Sequence, residues 1–171
     1  MPTPAYLSIE GVSQGLISQD CNSPDSIGNI YQEEHTDEIL VEAHSHELTV
    51  PTDVQSGMTS GQRMHRPLII TKVFDKSSPL LAQALCTGEK MSKCELTFYR
   101  TSMDGVQEPY FKIELEDAVI NNIKSYMPNC QDPSMAHFTH LEDVSFTYRK
   151  ITWTHLVANT EAFDDWRAPV E

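Results

Sequence analysis

The chain has 171 residues and a formal net charge of −13. Its 39% hydrophobic and 22% charged residues are ordinary for a globular protein, and its length suits one domain over residues 1–171. So acidic a chain is unsuited to nucleic acid or to anionic membrane surfaces, because both attract basic patches. We therefore expect no nucleic-acid partner, and no membrane insertion, since no apolar run approaches about 18 residues.

The first segment indicates a strand and carries no export signal. Ala5, Leu7 and Ile9 alternate with the residues between them before Gly11 interrupts the pattern, which is the period of a strand with one buried face. The opening MPTPAYLSIEG lacks the basic and apolar regions of a Sec-type signal peptide. We therefore expect synthesis and folding in the cytoplasm, and any export by another route.

The sequence Gly11-Val12-Ser13-Gln14-Gly15 matches G-x-S-x-G, the nucleophile elbow of α/β-hydrolases. Such an elbow joins a strand of a parallel sheet to a helix, after several earlier elements. Here the motif follows the first strand and precedes no helical pattern, so we interpret it as a turn. The alternative is a small serine hydrolase that uses Ser13 with one of the seven histidines.

Residues 38–50, EILVEAHSHELTV, are predicted to form one long extended segment. His44 and His46 are two positions apart, so they share one strand face and could bind a metal ion together with His35 or His65. The intervening loop is long and no cysteine is near, which favours a partly buried, hydrogen-bonded pair. A metal-binding β-protein is the alternative to our expectation that the chain has no cofactor.

A break of 17 residues, PTDVQSGMTSGQRMHRP, separates two predicted strands at residues 51–67. Loops longer than about 12–15 residues without secondary structure are uncommon, and are usually functional or disordered. We predict that this segment, called the arm below, protrudes and contacts a partner. The residue types suited to that contact are Met58, Arg63, Met64, His65 and Arg66.

Further strands and one helix are predicted downstream. Apolar residues that alternate or run together indicate strands over residues 68–74, 94–99 and 111–116. Ser78 suits the N-cap of a helix and Gly88 suits its C-terminal cap. Because this helix is short, packing against the sheets must stabilise it.

The apolar alternation changes phase late in the chain. Up to Tyr148 the apolar residues hold one phase, and from Ile151 they hold the opposite one, which requires a β-bulge or a sharp bend between them. Residues 159–171 are polar and predicted to be irregular, with Trp166 as an anchor. Together the patterns predict a mainly β fold, a small β-barrel of two antiparallel sheets with one flanking α-helix and a long protruding loop.

Seven segments in order carry a resemblance that covers essentially the whole chain. They are PTPAYLSIEG-x-x-QG, EILVEAHSHELTV-PTD, SGQRMHRP, DKSSPLLAQAL, FYRTS, VSFTYRKITWTH and DDWRAPVE. Together they closely resemble the Hcp (haemolysin-coregulated protein) family, and the longer arm and DWRAP tail are similar to its enterobacterial type.

The resemblance implies a tight β-barrel whose copies form hexameric rings. In the family, these rings stack into the inner tube of the type VI secretion machine, which is fired by sheath contraction together with its spike. The ring lumen can hold effector proteins before firing. The chain would then be a structural and exported protein rather than an enzyme, cytoplasmic at first and secreted without a Sec signal.

The resemblance also implies which residues serve cargo and assembly. The family's E-I-x-V-x-A-x-S-x strand lies along the inner wall, which makes Ala43, Ser45 and Glu47 candidate lumen residues. His44 and His46 would then face into the barrel or a neighbour. The arm corresponds to the long loop that the family uses for contacts between rings.

Overall fold

The computed structural model describes residues 3–167, which form twelve strands, two α-helices and three short 3-10 helices. The helices are α1 (Pro24–Ile27) and α2 (Ser78–Thr87), and the 3-10 helices span Gly28–Ile30, Glu33–His35 and Pro133–Met135. The strands are β1 (Ala5–Gly11), β2 (Gly15–Leu16), β3 (Ile39–Ser45), β4 (Leu48–Thr49), β5 (Met64–His65), β6 (Leu68–Val73), β7 (Lys90–Thr101), β8 (Gln107–Glu116), β9 (Ala118–Tyr126), β10 (Leu141–Thr147), β11 (Lys150–His155) and β12 (Thr160–Asp165).

Six of these strands close into an antiparallel barrel. β1, β3, β6, β10, β9 and β7 are hydrogen-bonded in that order, and β7 returns to pair with β1. The closing pair runs from Ala5 opposite Phe98 to Gly11 opposite Met91. β8, β11 and β12 extend the large sheet from β7, while β4 and β5 form a separate two-stranded sheet. The predicted mainly β barrel with a flanking helix is therefore confirmed.

Apolar side chains fill the barrel, and α2 packs on the same core. Ile9, Val144 and Phe146 have none of their surface exposed, and neither has Leu81 of α2. Burying one such side chain contributes about 1.5–3 kcal/mol, so the shared core outweighs the weak intrinsic stability of a ten-residue helix.

Of the two predicted caps of α2, only the C-terminal one is confirmed. Gly88 caps the C-terminus in the left-handed conformation, with φ of 68°, as predicted. The N-cap is Ser77 rather than Ser78. Ser78 is instead the first helical residue, and its hydroxyl bonds the buried side chains of Lys72 and Glu142.

The predicted bend after Tyr148 is present. β10 ends at Thr147 and pairs with β6 and β9, whereas β11 begins at Lys150 and pairs with β8 and β12. The chain therefore passes from the barrel to the sheet extension within two residues, and Tyr148 and Ile151 both stay buried.

Two sequence-based expectations were wrong. Residues 38–50 are not one strand, because the chain leaves the barrel between β3 and β4. The tail is not irregular, since residues 160–165 form β12, which pairs with β11 along its whole length. Besides the predicted helix, the structure contains α1, a single turn of four residues. The tail beyond Arg167 lies outside the described residues.

Two further observations concern the length of the helices and the state of the cysteines. Within residues 3–167 no helix has both the length and the hydropathy needed to cross a bilayer. All four cysteines are free thiols, with Cys21 and Cys94 buried and Cys86 and Cys130 exposed.

Candidate assembly surfaces

The arm, together with β4 just before it, forms an ordered β-hairpin rather than a loose loop. In β4 and β5, Leu48 lies opposite His65 and Thr49 opposite Met64. Further out, Thr52 bridges Thr59, and every residue from 52 to 62 is exposed. The arm is therefore a two-stranded ribbon that is paired near its base and again towards its tip.

The tip of the arm is a turn organised by Asp53. Its carboxylate accepts hydrogen bonds from the Gln55 amide at 3.1 Å and from the Ser56 hydroxyl at 2.8 Å, and these bonds lower its pKa. The turn presents Val54 and Met58, which are 99% and 71% exposed. A preorganised tip loses less conformational entropy on contact than a flexible one.

A chain of hydrogen bonds holds the base of the arm. The Tyr148 hydroxyl lies 2.7 Å from Nε2 of His46 and 2.8 Å from Nδ1 of His65. Nε2 of His65 lies 2.7 Å from Oδ2 of Asp164. Hydrogen bonds from Arg63 and His65 lower the pKa of Asp164, so this carboxylate only accepts. Nε2 of His65 therefore donates to Asp164, and the Tyr148 hydroxyl bridges the rings of His65 and His46.

Two other side chains complete this base, which we call the root network: His46, Arg63, His65, Tyr148, Asp164 and Trp166. Nε of Arg63 donates to Oδ2 of Asp164 at 2.7 Å. The Trp166 ring stacks on His65 with centroids 5.7 Å apart, and its Nε1 donates to the Tyr148 carbonyl oxygen at 2.6 Å. The predicted anchoring role of Trp166 is thus confirmed.

The structure divides the five candidate arm residues into two groups. Met58 and Met64 are 71% and 47% exposed, and Arg66 is exposed beside Glu47 at 3.5 Å. Arg63 and His65 instead turn towards the barrel, and the His65 side chain is only 3% exposed. Sequence reasoning missed Tyr148 and Asp164, which lie far along the chain and form no local pattern with the arm.

A β-bulge sets the direction of the β3 side chains. Val41 pairs with Lys72 and Ala43 with Thr71, so Glu42 is an extra residue without a partner position. Strict alternation would put Ala43 on the buried face that carries Val41. The bulge reverses the phase from this point on.

As a result, the candidate lumen residues Ala43, Ser45 and Glu47 are all exposed. His44 lies on the opposite face, paired with the buried Ile70. Its ring is 5.3 Å from that of Phe98, and partial desolvation lowers its pKa although much of its surface stays exposed. β3 and the residues just after it therefore offer three exposed side chains of small or acidic type.

The metal-binding alternative finds no support in the geometry. Within residues 3–167, no three His, Cys, Asp or Glu side chains are placed to hold a metal ion. His46 is half-buried and hydrogen-bonded to Tyr148, as the competing interpretation required. His44 was expected to be partly buried as well, but it lies near the end of β3 and remains exposed.

The hydrolase alternative lacks the required fold around Ser13. The turn joins β1 to β2, which are antiparallel strands, and no helix follows it directly. The Glu89 carboxylate accepts hydrogen bonds from the Ser13 amide, the Gln14 amide at 2.8 Å and Nε2 of Gln14 at 2.7 Å. These bonds lower the pKa of Glu89. The motif is a structural turn that encloses a carboxylate.

Comparison with known proteins identifies the family. Residues 6–155 match the family model described as "Type VI secretion system effector, Hcp". The chain belongs to the Hcp family. Hcp proteins are the tube subunits of type VI secretion, so the barrel and the arm belong to a subunit of that tube.

Hcp relatives match this chain along nearly its whole length. The "Major exported protein" of Pseudomonas aeruginosa is 59% identical over 170 residues, which cover 99% of each chain. A solved structure described as "Crystal structure of Hcp protein" has a TM-score of 0.93 at 46% identity, covering 98% of this chain and 99% of its own. "Secreted protein Hcp3 from Pseudomonas aeruginosa" has a TM-score of 0.83 at 51% identity, covering 97% and 99%.

Two of these Hcp relatives are from Pseudomonas, so the similarity extends beyond the enterobacterial type. Family membership and the name of the exported relative together indicate that this Hcp chain is secreted.

Proposed function

We propose that six copies of this chain close into a ring, and that rings stack through the arm into the inner tube of a type VI secretion machine. The observation that carries this proposal is the ordered arm, a hairpin with an exposed apolar tip on a closed, rigid barrel. A tip that contacts a different surface of the next copy makes a heterologous contact. Along the axis of the tube such a contact does not close on itself, and it therefore propagates the tube.

The same proposal assigns a role to the exposed face of β3. Ala43, Ser45 and Glu47 line the lumen and contact effector proteins carried inside it, while sheath and spike proteins contact the assembled tube. The subunit folds in the cytoplasm, leaves with the fired tube, and acts by assembly rather than by catalysis. The exposure of all three residues supports this assignment.

Charge constrains how the rings meet. Six copies at −13 each give −78 per ring, so rings repel one another unless salt screens them. At about 0.15 M ionic strength the Debye length is about 8 Å, which confines repulsion to close approach. Contacts between rings must therefore be apolar, as at Val54 and Met58, or locally paired.

The arm tip provides the test. Deleting residues 58–64 would also remove Met64, half of β5, so the sharper variant is Val54→Ser combined with Met58→Ser, which leaves the pairing of the arm intact. We expect wild-type rings by sedimentation but few or no tubes by negative-stain electron microscopy, and reduced secretion. Gln55→Ser on the same tip is the matched control. Wild-type tube length and secretion in the double variant would overturn the role of the arm.

A further inference from the structure

The arm is fastened by a part of the chain that is remote in sequence. His65 and Asp164 are 99 positions apart, and Arg63 and Asp164 are 101 apart. Asp164 belongs to β12, which is the open edge of the large sheet. The last described strand, β12, is therefore hydrogen-bonded to the arm through Asp164.

We infer that Asp164 and Tyr148 are positioning residues for the arm: they fix the direction in which the hairpin leaves the barrel without contacting the next ring themselves. The consequence for stacking rests on the proposed function. The effect on the order of the arm does not, because it can be measured on isolated protein.

The intrinsic pairing of the arm is too limited to set its direction. Two residue pairs at the base and one isolated bridge are all the strand pairing that the described arm contains. Isolated two-stranded hairpins are marginal in water. The orientation of the arm must therefore come from contacts with the barrel.

Asp164 supplies the strongest of these contacts. One oxygen of its carboxylate, Oδ2, lies 2.7 Å from both Nε of Arg63 and Nε2 of His65. Hydrogen bonds to an ionised acceptor are about twice as strong as neutral ones. Because the donors come from β5 and the residue just before it, a single carboxylate fixes both the position and the rotation of this strand.

Tyr148 holds the other strand of the hairpin. Its hydroxyl bridges His46, just before β4, and His65 in β5, at 2.7 and 2.8 Å. The Tyr148 ring is buried, with 1% of its surface exposed, and lies beside the core. Both strands of the hairpin are thus hydrogen-bonded, through His46 and His65, to the hydroxyl of one buried barrel residue.

Hydrogen–deuterium exchange of residues 48–65, read by mass spectrometry, tests this inference in Asp164→Asn and Tyr148→Phe. We expect exchange in the arm to become about tenfold faster or more, while β1 and β7 keep wild-type protection. Rings should persist by sedimentation, and tubes should shorten or disappear. Asp164→Glu retains the charge and should restore much of the protection.

Glu108→Gln is the matched control, because it breaks a partly exposed carboxylate–guanidinium pair with Arg100, at 2.9 Å, away from the arm. It should leave exchange in the arm unchanged. Should Asp164→Asn fail to fold, Tyr148→Phe, which preserves the buried ring, carries the same measurement.

Unchanged exchange in the arm of both variants would overturn the inference, as would an equal rise across the whole barrel. If wild-type protein formed no rings or tubes, the proposed function would fail while the exchange measurement still decided the role of the root network.

Discussion

Lys72 and Glu142 form an ion pair enclosed by the barrel and the N-terminus of α2. The Lys72 side chain is 0% exposed and that of Glu142 is 4% exposed. Nζ of Lys72 also lies 3.0 Å from Asp75 and 3.1 Å from the hydroxyl of Ser78. One buried cation thus compensates two buried carboxylates and connects β6, β10 and α2.

Replacing Lys72 by Met should destabilise the fold strongly. Removing one partner leaves uncompensated buried charge, which costs about 3–5 kcal/mol. We expect a loss of that order in the free energy of unfolding, measured by urea titration. Glu108→Gln, which breaks an exposed pair, should cost less than about 1 kcal/mol. A loss below that value for Lys72→Met would show that the buried charges are compensated in another way.

Acidification should lower the free energy of unfolding through His46 of the root network. Burial is the main cause that lowers the pKa of His46 below its usual 6.5, and the nearby His44 and His65 lower it further. The unfolded chain binds this proton at the ordinary pKa and the folded chain at a lower one. The stability that neutral His46 contributes is therefore complete above pH about 6.5 and is lost as the pH falls through the folded pKa.

The measurement is the free energy of unfolding between pH about 7.5 and about 5.5. We expect it to decrease on acidification, and His46→Gln to make that decrease smaller. His137→Gln, which removes an exposed histidine, should leave the slope unchanged. An equally steep decrease in His46→Gln and in wild-type protein would exclude His46 as the source.

Deleting Glu42 should reverse the faces of the second half of β3. Without the extra residue, Ala43 and Ser45 would turn into the barrel and His46 would lose the Tyr148 hydroxyl. We expect a much lower melting temperature or no folded protein, whereas Glu42→Ala, which retains the bulge, should fold normally. A deletion variant with the melting temperature of wild-type protein would contradict the bulge assignment.

Enlarging Ser45 should affect cargo and not assembly. Ser45→Gln adds bulk to the proposed lumen face without disturbing the core, since Ser45 is exposed. We expect intact rings by sedimentation and reduced retention of an effector in a pull-down. Thr101→Gln, at an exposed position of β7, is the control. Equal retention by both variants would argue that Ser45 does not line the lumen.

The barrel was largely predictable because most of its strands bury one face. The same rule failed for β9 and β12. In β9, Asn121 and Asn122 interrupt the apolar alternation, and the register with β10 shifts nearby, so no regular period remains. β12 is mostly exposed and polar, and only its pairing with β11 gives it order.

The candidate site was predictable only in part. The length and composition of the arm revealed it, since both are local properties. The hydrogen bonds that hold the arm on the barrel could not be predicted, because Tyr148 and His65 are 83 positions apart and come into contact only in the folded barrel. The facing of β3 came from family resemblance, while alternation alone would have placed Ala43 and Ser45 beside the buried Val41. The bulge at Glu42 explains why Ala43 and Ser45 do not follow the alternation that begins at Val41.

Negative-stain electron microscopy of purified wild-type protein, combined with sedimentation at low salt and at about 0.15 M or above, tests assembly most directly. We predict annular particles of six subunits that stack into tubes more readily as salt screens the charge on each ring. A lone subunit at every salt and protein concentration, with no annular species, would contradict the account.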